Sequence, residues 1–137
     1  MKLNRHEERI KAMQILYAWE QNPTSFELIW NAESVQDSQK YPYARELVQG
    51  VLKQVKKIDA TINKHLINWK FSRLYKVDLA ILRMAIYTLL FIPELDRAII
   101  INEAIEIAKE YSNEHAPKFI NGILDAISKN ERKGDTS

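Results

Sequence analysis

The sequence predicts an all-α fold of six or seven helices, and three observations carry that expectation. Apolar residues recur at spacings of three and four, as in Ile10, Met13, Leu16 and Tyr17 or Phe119, Ile120, Ile123 and Leu124. Residues that break helices are scarce, with three glycines and four prolines in 137 residues. Hydrophobic side chains make up 46% of the chain, enough to bury a core and to exclude wholesale disorder.

The first helix starts at Asn4. Asn4-x-x-Glu7 reads as a capping box, in which the Asn4 side chain accepts from the amide three residues on and Glu7 reaches back. Ala12, Ile15 and Trp19 widen the stripe of this helix beyond one face, so it is expected to be buried on more than one side. Asn22-Pro23 ends it, and Thr24-x-x-Glu27 offers a second capping box for a short helix whose apolar side is Phe26, Ile29 and Trp30. The polar stretch Asn31–Lys40 reads as a loop or a frayed helix end. Pro42 suits the first turn of a third helix, with a stripe of Ala44, Leu47, Val48, Val51, Leu52, Val55 and Ile58. Gly50 interrupts that stripe and would allow a close helix crossing. Asp59 is positioned to cap a following helix that contains Ile62 and Leu66 and ends near Trp69.

Ser72 reads as the cap of the next helix, an apolar run from Leu79 to Ile92 closed by Pro93. A helix apolar around its circumference belongs at the centre of a core. Arg83 lies within it, and a buried guanidinium needs a carboxylate or several carbonyls to offset its desolvation. The expected structural ion pair is Arg83 with Glu103 or Asp78. Two more helices follow, the first with Ala104, Ile105, Ala108 and Tyr111, the second restarting at Pro117. Lys129–Ser137 is polar, contains Gly134 and reads as a disordered tail.

Zero cysteines exclude disulfides and thiolate metal sites and suit a reducing cytoplasm. The polar, charged N-terminus does not read as a signal peptide, and the longest apolar run, near Ala85–Pro93, is too short to span a bilayer. A cytoplasmic protein with no membrane association is the expectation. His6, His65 and His115 are far apart and without clustered carboxylates, so no metal site is expected. The three glycines form no phosphate loop, and there is neither a cysteine nucleophile nor a Gly-x-Ser-x-Gly elbow. No catalytic residue and no cofactor is assigned.

Net charge is only +2, but its distribution is uneven. Lys53 to Lys76 holds seven cations against the single anion Asp59, a net of +6, whereas Glu94 to Glu114 has a net of −4. Such polarity suits a basic face for phosphates and an acidic one for a basic partner, although solvated helix faces also account for it. Arg5 and Arg9 are four apart on the first helix and can straddle successive phosphates. Lys118-Phe119-Ile120-Asn121-Gly122 combines a cation for a phosphate, a ring for a base, an amide for a base edge and a glycine for close backbone approach. The competing reading makes Phe119 core and Gly122 a helix-packing glycine. Asn102 and Glu103 read as a polar network tying helix starts together.

Four blocks stand in one register: Arg9-x-x-Ala12-x-Gln14-x-Leu16-Tyr17, Val77-Asp78-Leu79-Ala80-Ile81-Leu82-Arg83, INEAIEIAK from Ile101, and KFINGILD from Lys118. In order and spacing they resemble the NusB family of bacterial transcription antitermination factors over nearly the whole chain. The resemblance implies one domain over 1–137, built as two packed three-helix bundles of about 1–70 and 71–130, with 131–137 as a tail. It implies a non-enzymatic adaptor that binds single-stranded box A RNA of ribosomal RNA transcripts together with the ribosomal protein NusE, in an elongation complex with RNA polymerase. Some family members also form homodimers that cover the RNA surface. The implied RNA-binding residues are Lys2, Arg5, His6, Arg9, Gln14, Tyr17, Lys118, Phe119 and Asn121; the implied partner-binding residues are Tyr75, Asp78 and Leu79. Glu7 and Glu8 depart from the arginine-rich pattern of the first helix, and Thr88 stands after Tyr87 where relatives tend to carry Glu. Two alternatives follow: a helical protein-interaction module with weak RNA binding, and an accessory domain of a ribosomal RNA methyltransferase.

Overall fold

The computed structural model describes residues 4–33 and 41–132; Lys2, most of the polar stretch before Tyr41 and the segment after Arg132 lie outside them. Seven α-helices occur among the described residues: α1 Arg5–Gln21, α2 Phe26–Glu33, α3 Pro42–Lys53, α4 Val55–His65, α5 Lys76–Phe91, α6 Arg97–Tyr111 and α7 Ala116–Glu131. A 3-10 turn, Phe71–Arg73, precedes α5. The chain is all-α, as the periodicity predicts. None of these helices is long and apolar enough to cross a membrane.

Asn4 caps α1 as expected, its Oδ1 accepting from the Glu7 amide at 2.8 Å. Other boundaries fall elsewhere. The cap of α2 is Ser25 rather than Thr24, with Ser25 Oγ accepting from the Leu28 amide. The stripe read as one helix through Ile58 is broken at Gln54, whose amide closes α3 on Gly50 and Val51 before α4 begins. Asp59 therefore lies inside α4, and Ser72 lies in the 3-10 turn rather than at the start of α5. Periodicity survives both breaks because the helices on either side bury the same apolar stripe.

Helix α5 is the hub. Every residue from Asp78 to Ile86 is buried, and the helix packs against α1, α3, α4, α6 and α7. Leu79, Ile81, Leu82, Ile86 and Leu89 join Leu16, Val48, Ile62, Ile107 and Leu124 in one continuous core. Each large aliphatic side chain taken out of water contributes about 1.5–3 kcal/mol. Gly50 permits the crossing of α3 and α5: a Cβ there would lie 2.2 Å from the Tyr87 ring. A side chain at this position would require the Tyr87 ring to swing away.

Arg83 is buried and paired with carboxylates, but not with those expected. Its Nε and Nη2 donate to Asp59 Oδ1 and Oδ2 at 2.9 and 2.8 Å, and Nη1 donates to Glu20 Oε1 at 2.6 Å. The guanidinium also lies over the Trp19 ring. Asp78, five residues earlier, projects from a different side of α5. Glu103 is engaged by α1. The fork-shaped pairing ties α5 to α4 and α1 at once.

The expected tail begins too early. α7 runs through Lys129 to Glu131, and Arg132 is buried, its Nη2 donating to the carbonyls of Ile92, Pro93 and Leu95. These carbonyls lie in the corner between α5 and α6, where Ile92 also accepts from the Leu95 amide at 3.2 Å.

Candidate nucleic-acid interface

The α1 residues come first. Tyr43, in the first turn of α3, lies beneath both arginines, with the Arg5 and Arg9 guanidinium carbons 4.0 and 5.5 Å from its ring centroid. Arg9 Nη1 also meets Glu103 Oε1 on α6 at 3.1 Å. His6 Nδ1 lies 2.7 Å from Glu103 Oε2, and His6 Nε2 lies 3.0 Å from Glu110 Oε1. A neutral imidazole has one N–H, so only the imidazolium donates to both carboxylates. The hydrogen bond to Glu103, then that to Glu110, raises the His6 pKa above its ordinary value. Glu103 thus serves α1 rather than Arg83.

Glu8 is not the opposing charge that its place beside Glu7 suggests. It is buried, and its Oε1 accepts from the backbone amides of Tyr43 and Ala44 at 2.8 and 3.2 Å. Tyr41, the residue at the N-terminal boundary of α3, makes no side-chain cap, so Glu8 supplies it from α1. Gln14 and Tyr17, three residues apart, share the exposed side of α1.

The C-terminal residues of the site lie in a groove of about 700 Å³ between the end of α4, the segment leading into α5 and the start of α7. Lys118, Phe119 and Gly122 line one wall; Ile67, Trp69, Arg73 and Tyr75 line another. Ile67 is 83%, Trp69 56% and Tyr75 53% exposed, an unusual concentration of large apolar surface in one place. Asn68, with φ +58°, sets the turn between Ile67 and Trp69, a left-handed conformation that asparagine tolerates. A Cβ on Gly122 would meet nothing within 4 Å. It is therefore not a helix-packing glycine but an open backbone patch on the groove wall. The first turn of α7 and the cations Arg73 and Lys118 bring positive charge to the groove against the lining carboxylate Asp78, while its rings and aliphatic groups offer stacking surface.

The predicted site residues thus fall into two patches. Lys118 and Phe119 share the groove with Tyr75 and Asp78, which were expected on a separate partner surface. Asn121 is exposed on α7 but does not line the groove. Arg5, His6 and Arg9 form the other patch, against α3 and α6. Leu79 is a correction: it is fully buried, because α5 turns it into the core, and it presents nothing to a partner. Asp78 is largely committed to the interior as well, accepting from Ser112 Oγ at 2.6 Å. Burial raises its pKa, and the Ser112 hydrogen bond opposes that shift.

Ile67, Trp69 and Arg73 are groove residues that the sequence reading did not assign. The spacing from Ile62 and Leu66 reads Trp69 as the end of a helix, whereas α4 stops at His65 and leaves that ring interleaved with the cations Lys70 and Arg73. That is the pattern of a stacking platform with phosphate contacts.

The model of the NusB family matches residues 6–129. Among curated relatives, the transcription antitermination protein NusB of Sulfurimonas denitrificans is 40% identical over 131 residues, covering 93% of this chain and 98% of its own. That of Bacillus pumilus is 41% identical over 132 residues, covering 96% and 98%. Among solved structures, NusB of T. maritima superposes with a TM-score of 0.85 at 35% identity, covering 96% of this chain and 95% of that one. A crystal structure of NusB and NusE in complex with double-stranded RNA contains a chain that superposes at 0.76 with 28% identity, covering 93% and 98%. Sequence blocks, helical order and these matches agree: the chain belongs to the NusB family.

Proposed function

We propose that this protein is a cytoplasmic, non-enzymatic antitermination adaptor that binds single-stranded box A RNA of ribosomal RNA operons together with NusE, within the elongating RNA polymerase complex. The observation that carries this reading is the groove, where Phe119 and Trp69 offer rings beside the cations Lys118 and Arg73. Rings accept unstacked bases and cations take the backbone, which is what a single strand requires. A structural neighbour that contains NusB, NusE and RNA together supports the same partners.

Arg5, Arg9, Gln14 and Tyr17 extend the RNA surface along α1, and Lys2 would add a further cation. Tyr75 is the exposed residue at the start of α5 that remains for NusE, with Asp78 holding the α5–α6 packing behind it. The alternative in which RNA binding has decayed drew on Glu7 and Glu8. With Glu8 spent on capping α3, Glu7 is the first-turn acid of α1 left in solvent, and Glu103 and Glu110 of α6 already pair with His6 and Arg9.

The test is binding of a box A oligonucleotide, with and without NusE, against a scrambled control. Preferential binding that tightens with NusE is expected, and Phe119→Ala should weaken it by about 1–3 kcal/mol. Equal, weak binding to both RNAs alongside tight NusE binding would overturn the RNA reading.

A further inference from the structure

We propose that the exposed face of α4 continues the RNA path beyond the groove, holding the phosphates of the strand that flanks the bound segment. The inference rests on the groove's binding RNA and adds a second, sequence-independent contact to it.

The outward stripe of α4 is Lys56, Lys57, Ala60, Asn63 and Lys64, a spacing that keeps these residues on one side of the helix. Lys53, also exposed, stands at the end of α3 just before the junction. The helix has one acid, Asp59, and that acid is engaged by Arg83. The stripe therefore carries no carboxylate of its own. Glu131 on α7 reaches Lys64 at 2.8 Å, and Lys57 lies 5.3 Å from the Phe91 ring centroid, but both lysines remain exposed.

Position selects the occupant. His65, Leu66 and Ile67, at the end of α4, line the groove, so the lysine stripe starts at the groove wall. From Lys64 to Lys56 it extends about 12 Å at the helical rise. Ala60 and Asn63 between the lysines are small and offer no ring for a base, so the contacts fall on phosphates and carry no sequence information. A bilayer is the poorer match, because the stripe has no large apolar side chain to insert. Charge complementarity and continuity with the groove point to one ligand, the flanking RNA strand.

The test uses the full chain and two RNAs, a box A oligonucleotide and the same oligonucleotide with uridine tracts at both ends, titrated over a range of salt. The extended RNA should bind tighter, roughly tenfold at low salt, with a log–log salt slope steeper by about 2 if some three more phosphates are engaged. Lys56→Glu combined with Lys57→Glu should abolish that increment and leave the short oligonucleotide within about twofold of wild type, since these exposed residues lie outside the groove. Equal affinity and slope for the two RNAs, or equal weakening of both by the double variant, would overturn the α4 path while the groove reading stands. Failure of the wild type to bind either RNA would overturn both.

Discussion

Glu8 on α1 caps α3 through Tyr43: the carboxylate accepts the Tyr43 amide at 2.8 Å, and the same residue's ring lies under Arg5 and Arg9. One acid thus fixes the position of the ring that organises the α1 cations. Glu8→Ala removes a charged acceptor from two amides near a helix start, and it should lower stability by about 1–3 kcal/mol. Urea unfolding measures this. Glu8→Gln, which keeps an acceptor oxygen, should recover part of the loss.

Arg83 holds Asp59 and Glu20 together in a site from which most water is excluded. Removing the cation leaves two carboxylates facing each other. Arg83→Leu should cost about 3 kcal/mol, at the lower end for a broken buried pair because both acids keep some solvent contact. In a double-mutant cycle with Asp59→Asn, the combined loss should be clearly smaller than the sum of the two single losses. Strict additivity would show that the pair contributes nothing.

His6 makes the α1–α6 contact depend on pH. Its folded pKa is raised, first by the hydrogen bond to Glu103 and then by that to Glu110. The stabilisation is therefore fully present below the unfolded value, about 6.5, and fades as pH rises through the folded pKa. The stability difference between wild type and His6→Gln should be constant in mildly acidic solution and shrink above neutrality. Thermal unfolding of both proteins across pH 5 to about 9 checks the sign, and an NMR titration of the His6 ring locates the midpoint.

Gly122 sits inside α7 with nothing near the place a side chain would occupy. A glycine in mid-helix costs about 0.5–1 kcal/mol relative to alanine. Gly122→Ala should therefore raise stability by that amount and weaken RNA binding, because the added methyl group covers open backbone in the groove. Higher stability with unchanged RNA affinity would remove Gly122 from the interface.

Helix content and core were legible because each rests on local periodicity. The stripes of α1, α3, α5, α6 and α7 name most of the buried residues, and Pro42, Pro93 and Pro117 punctuate them. What escaped was decided between helices. Asp59 and Glu103 each stand on an exposed-looking helix position, and only packing shows which cation each one meets. Glu8 is indistinguishable from Glu7 in sequence, yet one is buried and the other is in solvent. The groove escaped for a related reason. Trp69 continues the helical spacing of Ile62 and Leu66, yet α4 ends at His65, and the segment after it reveals its role only when three elements converge on it. In the sequence, Lys118-Phe119-Ile120-Asn121-Gly122 fits RNA and core equally, and the resemblance to the NusB family is what favours RNA.

Arg132 closes the chain back on itself. By occupying the carbonyls of Ile92, Pro93 and Leu95, a residue near the end of α7 completes the corner between α5 and α6. Fraying of the last helical turn then exposes that corner, so the two open together as one cooperative unit. The amides of the α5–α6 corner should exchange with solvent at the rate set by the end of α7, not at the faster rate of an ordinary surface turn. The groove at the other end of α7 would be insulated from that opening by the buried turns between, with Ile120, Ile123, Leu124 and Ile127 holding the helix to the core.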